Sequence, residues 1–167
     1  MPENELTELL EQLQKQLLLY REIHAAAQAL GQLCETAAFD REEELKELNL
    51  LLLKRKDLME QVEKSQQEAK NIKTRLAEKL KLPAIEGKEL TGLIPGTASF
   101  CLQEALEQMG LLLKEIAKLD SQAQASLKAK LNIVGGEIEK LQKLKKLSLA
   151  YSPSEKQIEG FFVDGQR

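Results

Sequence analysis

The fold is decided by residues 98–149, which read ASFCLQEALEQMGLLLKEIAKLDSQAQASLKAKLNIVGGEIEKLQKLKKLSL. This stretch contains no proline, and apolar residues recur along it in steps of three and four. The apolar positions are Leu102, Ala105, Met109, Leu112, Ile116, Leu119, Ala123, Leu127, Leu131, Val134, Ile138 and Leu141. The residues between them are mostly Gln, Glu, Lys, Ser and Asp, so the pattern predicts one long amphipathic helix. An apolar face of that length needs partner helices to cover it.

Two earlier segments have the same rhythm and are the natural partners. The first predicted helix covers about residues 4–38, with its inner face at Leu6, Leu10, Leu13, Leu17, Tyr20, His24, Ala27, Leu30, Cys34 and Ala37. The second covers about residues 40–81, with its inner face at Leu48, Leu51, Arg55, Leu58, Val62, Ser65, Ala69, Ile72, Leu76 and Leu80. With the third helix at about 98–149, the chain is expected to be all-α. We predict an elongated antiparallel three-helix bundle over residues 1–150 and a flexible tail over 151–167.

The connections between these helices carry recognisable signals. Asp40 is a good N-cap for the second helix, and Glu43 three residues later completes a capping-box pattern. The acids Glu42, Glu43 and Glu44 suit the positive end of a helix dipole, so a metal site is not needed to explain them. Prolines and glycines interrupt residues 82–97, and Leu90, Leu93 and Ile94 give this loop apolar anchors. We expect the loop to cap one end of the bundle.

Two polar residues interrupt the apolar face of the second helix. Arg55 and Ser65 occupy positions where a polar side chain costs stability and can fix helix register. Arg55 can alternatively lie at the edge of the face, with its aliphatic stem on the core and its guanidinium in water. We favour the edge position for Arg55. Gly31, inside the first helix, indicates either close packing or local softness.

Composition and charge exclude several classes of function. The chain of 167 residues has a net charge of −3 with both signs interleaved and only 4% aromatic residues, which does not favour nucleic acid as a partner. Residues 1–5 do not resemble a signal peptide, and no apolar run is long enough for an integral membrane segment, so a cytoplasmic protein is expected. Cys34 and Cys101 are expected to be reduced core thiols about 40 Å apart. His24 has no catalytic partner in sequence, and we expect neither enzymatic activity nor a cofactor or metal.

The predicted helix lengths indicate which part of the third helix is left without cover by the other two. The third helix spans nearly 80 Å, against about 60 Å for the second and about 50 Å for the first. If the third helix starts opposite Leu80, the second ends opposite about Gly136 or Glu137. The remaining roughly 20 Å of the third helix then lacks cover, although Ile138, Leu141, Leu144, Leu147 and Leu149 continue its apolar face, followed by Tyr151. We expect the helix to bend or unwind at Gly135-Gly136. Either a partner covers this face, or the helix folds back or pairs with a second copy.

The architecture resembles that of a known family over nearly the whole chain, and the specific part of the resemblance lies in about the last forty residues. Lys130-Leu131-Asn132 in the last helix is similar to the pattern of FlgN-type flagellar export chaperones. A Leu-rich helix that runs into Tyr151-Ser152-Pro153-Ser154 and then Gly160-Phe161-Phe162-Val163-Asp164 is similar to the close of many members. The resemblance implies a bacterial cytoplasmic chaperone that holds flagellar hook-associated proteins, the hook–filament junction proteins of the FlgK and FlgL type, before type III export.

The resemblance also implies which residues act. The client would lie against the C-terminal amphipathic segment, and a tyrosine-containing segment would contact the export gate. On this chain the partner-binding residues are Val134, Ile138, Leu141, Leu144, Leu147 and Tyr151. A disordered client terminus would fold onto the exposed face by helix-on-helix binding. Two other interpretations stay open: a homodimeric structural coiled coil, and a basic amphipathic helix that touches membranes.

Overall fold

The computed structural model describes residues 3–94 and 96–145, without the side chains at 140 and 142–145. Four helices follow one another: α1 (Glu3–Thr36), α2 (Glu42–Leu80), α3 (Gly87–Leu93) and α4 (Thr97–Lys145). No β-strand occurs among these residues, which confirms the all-α prediction. The long helices α1, α2 and α4 form a bundle in which α2 runs antiparallel to the other two.

Helix α1 is the central element, because it packs along both α2 and α4. Its small residues Ala26, Ala27 and Cys34 are buried and let both neighbours approach closely. Packing on two sides widens the buried face beyond the single row predicted from the sequence. Leu9, Gln16 and Ile23 are buried, whereas the predicted Leu6, Leu10 and Leu17 lie at its edge, only partly covered.

The turn between α1 and α2 differs from the predicted capping box. Helix α2 begins at Glu42, and its N-cap is Arg41, which makes no side-chain capping hydrogen bond. The Arg41 guanidinium instead donates to the Glu44 carboxylate at 2.9 Å. The prediction of Asp40 as the cap is therefore wrong. The reason is backbone geometry: after the left-handed Phe39, with φ of 56°, the extended conformation of an N-cap residue is found at Arg41, one residue later than predicted.

The connection from α2 to α4 caps one bundle end, as predicted, but contains a helix that the sequence pattern did not indicate. The short helix α3 opens with a capping box, in which Glu86 and Glu89 exchange hydrogen bonds with each other's backbone. Ile85, Leu90 and Ile94 are buried against the ends of the long helices. We call this the proximal end. The opposite end, with the α1–α2 turn, is the distal end.

The core has two parts with a charged layer between them. A large proximal cluster includes Leu58 and Ile116, and a smaller distal cluster comprises Leu30, Cys34, Leu48, Ala123 and Leu127. Between them Arg55 of α2 is 5% exposed, and both of its terminal nitrogens donate to the carboxylate of Asp120 on α4. The prediction that the Arg55 head lies in water is wrong. Its side chain reaches across the bundle because α2 and α4 are farther from each other than either is from α1.

The other polar residue of the α2 face is also accommodated inside. Ser65 is fully buried, and its hydroxyl donates to the side-chain carbonyl of Gln12 at 2.8 Å. On the same pair of helices, Gln66 donates to the Tyr20 hydroxyl at 3.0 Å. These hydrogen bonds satisfy polar atoms that would otherwise be costly to bury, and they connect α1 to α2 in one register.

Candidate partner-binding site

Helix α1 ends well before α4 does, and the level at which it ends is marked by Lys130. The Lys130 ammonium donates to the main-chain oxygens of Cys34 and Ala37 and, at 3.2 Å, to that of Glu35. It also lies 5.4 Å from the centre of the Phe39 ring, a cation–π distance. A lysine of α4 thus caps the C-terminus of α1, whose own last turn contains no basic residue. Beyond Lys130, α4 has no part of α1 beside it.

The N-terminus of α2 also lies near this level. The Arg55–Asp120 pair sets α2 against α4, and the two helices are antiparallel. Glu42, the first residue of α2, therefore lies opposite about residue 133 of α4, somewhat before the Gly136 level expected from helix lengths. We call residues 131–145 of α4 the overhang. It extends about 20 Å beyond the support of the other helices.

The apolar face of α4 passes from buried to exposed at this boundary. Leu127 is 5% exposed, whereas Val134 is 43% and Leu141 is 48% exposed. Leu131 and Ile138, which lie between these positions on the same face, are half-buried. The overhang therefore presents a continuous apolar face to solvent, and soluble proteins seldom leave such a face without a partner.

The structure describes three of the six predicted partner-binding residues in full. Val134, Ile138 and Leu141 lie on one face of the overhang, as the spacing predicts. Position 144 is in the helix, but its side chain is outside the described part, and Leu147, Tyr151 and the predicted tail over 151–167 lie outside it altogether. Ile133, 64% exposed, is a further apolar residue of the overhang that the three-and-four spacing missed, because it lies off the main face.

The helix does not unwind at the glycine pair, one of the two outcomes expected there. Gly135 and Gly136 are both helical, and α4 continues through them to Lys145. A Cβ atom at either position would meet no other atom within 4 Å, so the glycines leave open space on the overhang. Gly31 of α1 is similarly open, which excludes close packing as the reason for that glycine.

Charge is distributed unevenly along the overhang. At its base, residues 35–47 contain six acidic and two basic residues. The two bases, Arg41 and Lys46, pair with Glu44 and Glu42, while Asp40, Glu43 and Glu47 are exposed. At its tip, positions 140, 143 and 145 carry lysine. The acidic residues of the α1–α2 turn thus lie beside the start of the overhang, and the overhang itself carries Glu137 and Glu139 in its middle and the three lysine positions toward its end.

Replacing Lys130 with Met is expected to destabilise the distal end by about 2–3 kcal/mol, because hydrogen bonds to a charged group are among the stronger ones and three carbonyl groups lose their donor. Amide hydrogen exchange should accelerate in the last turn of α1 and in the turn at Phe39. Lys118→Met, at an exposed position of the same helix, is the matched control. Equal exchange rates in the two variants would contradict the capping role.

Other polar groups in the described chain serve the bundle. His24 is half-buried at the α1–α4 contact, with its Nε2 2.8 Å from Oε2 of Glu115. A groove of about 420 Å³ lies one turn further along the same two helices, and Gln28, Gln32 and Gln122 are among the residues that line it. The described residues hold no group of three His, Cys, Asp or Glu side chains that could bind a metal. None of the helices in this part of the chain is long and apolar enough to cross a bilayer.

The two cysteines have different environments. Both are free, as predicted, but only Cys34 is in the core, whereas Cys101 is exposed. Cys34 lies at the level of Lys130, and Cys101 lies 29 residues earlier on α4, so about 40 Å separates them. Burial raises the pKa of the Cys34 thiol to about 11, against the smaller opposing effect of the nearby Lys130 charge.

A thiol reagent at pH 8 is expected to modify Cys101 and leave Cys34 unmodified, since the thiolate is the reactive form and is scarce well below the pKa. Mass spectrometry should show one adduct on the native protein and two after denaturation. The Cys101→Ser variant should show none until it is denatured. Modification of Cys34 as fast as Cys101 in the native protein would contradict its burial.

Comparison of the chain with protein-family models, with curated proteins and with solved structures finds no match in any of the three.

Proposed function

We propose that this protein is a non-enzymatic chaperone that binds an amphipathic helical segment of a client protein along the overhang of α4. The observation that supports the proposal best is the exposure of Val134 and Leu141 on a helix that is fully supported up to Leu127. The bundle provides a rigid base, and the overhang provides an apolar surface with no part of α1 beside it. No catalytic step is needed for this function.

The physical basis is masking of apolar surface. Each large apolar side chain of the overhang gains roughly 1.5–3 kcal/mol when a partner buries it fully. A client segment that is disordered when free can fold into a helix on this face, and its own apolar residues are then protected from aggregation. Because ordering the client costs free energy, binding of this kind is reversible, as a chaperone that hands over its client requires.

The resemblance to FlgN-type chaperones suggests the clients. On this proposal the protein works in the bacterial cytoplasm and holds flagellar hook–filament junction proteins of the FlgK and FlgL type until their export. Val134, Ile138 and Leu141 would contact the client, joined by Leu144 and Leu147. By the same resemblance, Tyr151 would contact the export gate.

The test is a binding measurement with purified components. The full chain is titrated with peptides from both termini of hook–filament junction proteins, and with sequence-scrambled peptides as controls. We expect one terminal peptide to bind and to gain helicity, and the chain lacking residues 138–167 to lose this binding. Equal binding of native and scrambled peptides would contradict the proposal. Binding of the chain to anionic vesicles that is lost at high salt, without binding to either terminal peptide, would favour a membrane-surface role instead.

A further inference from the structure

We propose that the distal end of the bundle opens as a separate unit, and that Lys130 is the latch that keeps this unit closed on α4. The distal unit comprises residues 31–54, which are the C-terminal end of α1, the turn at Phe39 and the start of α2. Its opening uncovers the part of the apolar face of α4 that adjoins the overhang. The evidence lies in the packing of the unit, its boundary, the strain in its turn and the side chain that holds it.

The distal unit is held by few buried side chains. Among residues 42–54 of α2 only Leu48 is buried. Three large apolar side chains of the same segment are between 46% and 67% exposed: Leu45, Leu50 and Leu53. The distal cluster also includes the small residues Cys34 and Ala123, which bury little apolar surface. Segments with so little buried surface open at a lower free energy than the rest of a domain.

A charged layer marks the level at which the opening stops. Arg55 and Asp120 lie between the distal and proximal clusters, and water that enters at this layer meets groups that it hydrates readily. Gly31 of α1 lies at the same level, since it lines a groove together with Leu119 and Gln122 of α4. A glycine inside a helix weakens it, and no packing contact requires one here. Gly31 thus provides the hinge of α1 at the boundary.

The turn of the distal unit is strained in the closed state. Phe39 has a φ of 56°, a left-handed conformation that a bulky residue rarely adopts. Such a conformation persists only where the surrounding contacts impose it. Phe39 packs against the distal cluster, and its ring centre lies 5.4 Å from the Lys130 ammonium. Release of Phe39 to an ordinary conformation therefore favours the open unit.

Lys130 opposes this release. Its ammonium donates to three main-chain oxygens of the distal unit, those of Cys34, Glu35 and Ala37. Hydrogen bonds from a charged donor are stronger than those between neutral groups. Through these bonds and its contact with the Phe39 ring, one side chain of α4 holds both the end of α1 and the turn. Loss of this side chain should therefore favour opening of the whole unit.

Opening lengthens the exposed apolar face of α4. Ala123 and Leu127 are 2% and 5% exposed in the closed bundle, and they continue the face of the overhang toward the charged layer. The use of this longer face by a client rests on the proposed function. The opening itself does not, and it is tested on the full chain without a client.

Native-state amide exchange tests whether the unit opens separately. We expect amides at 46–53 to exchange roughly 100-fold faster than those at 62–76, after correction for intrinsic rates. Leu76→Ala removes a fully buried proximal side chain and destabilises the closed and open states alike. It should accelerate exchange at 62–76 by about 30-fold or more and leave 46–53 unchanged. Ile72→Val is the milder variant should Leu76→Ala fail to fold, with an expected acceleration of about 2–10-fold at 62–76 alone.

Lys130→Met should give the complementary result. It destabilises only the closed state, so exchange should accelerate by about 30–150-fold at both 46–53 and 62–76. Acceleration of 46–53 and 62–76 to the same extent by the proximal variants would mean that the bundle unfolds as one unit. That outcome would overturn the proposal and leave the client assignment standing, because client binding is measured separately.

Two glycine substitutions test the position of the boundary. Gly31→Ala stabilises α1 only while the unit is closed, so it should slow exchange at both 46–53 and 62–76 by about 4–5-fold. Gly110→Ala is the matched control, because this glycine of α4 also has open space at its Cβ but lies in the proximal part of the bundle. It should slow exchange at 62–76 alone. Unchanged exchange at 46–53 in Gly31→Ala would overturn the assignment of Gly31 as the hinge.

Discussion

Replacement of Asp120 with Ala is expected to lower the free energy of unfolding by about 3–5 kcal/mol. Asp120 accepts two hydrogen bonds from Arg55, whose side chain is only 6% exposed. Without Asp120 the guanidinium is a buried charge with no counter-ion, and removal of one partner from such a pair is strongly destabilising. The melting temperature, measured by circular dichroism, should fall by roughly 6–20 °C.

The matched variant removes both charges. Arg55→Met together with Asp120→Leu fills the layer between the two core clusters with apolar side chains, and the stability of this double variant should return to near that of the native protein, since a buried ion pair often contributes little net free energy. If the two substitutions instead destabilise additively, the pair does not interact in the way that its geometry indicates.

Substitutions with Ser should affect client binding when they are made on the overhang, and stability when they are made in the core. Val134→Ser, Ile138→Ser and Leu141→Ser combined are expected to abolish client binding and leave the melting temperature almost unchanged at 1 µM. These side chains keep much of their surface in solvent, so the cost is mainly the lower helix propensity of Ser, about 1 kcal/mol in all. Leu144 and Leu147 can be added to the set on the basis of their spacing.

The control makes the same type of substitution in the part of α4 that packs in the core of the bundle. Leu102, Met109 and Ile116 are all buried, and truncation of a core side chain costs about 2–5 kcal/mol each. The summed cost of replacing all three with Ser should exceed the free energy of unfolding of an ordinary domain. This variant should therefore be unfolded at room temperature. If the overhang variant unfolds as readily as this control, the apolar face is part of the core and the proposed binding site is wrong.

The hydrophobic periodicity of the sequence predicts the long helices and many of their buried residues, because it is a property of each helix taken alone. The spacing along residues 98–149 predicts α4, and the buried residues Leu48, Leu58, Val62 and Ile72 confirm the predicted face of α2. The same spacing places Val134, Ile138 and Leu141 on one face of the overhang. Helix lengths alone also indicated that α4 outruns its partners, since the rise per residue is constant.

The tertiary structure decided what depends on contacts between helices. Arg55 is buried because Asp120, 65 positions away, lies within reach, and nothing in the spacing of α2 indicates this. Likewise α1 has a wider buried face than its own pattern shows, because two helices pack on it. Its C-terminus is capped by Lys130, more than 90 positions later. Such pairs follow from the register of one helix against another, and that register is set by side-chain packing over the whole bundle, which the periodicity of a single helix does not contain.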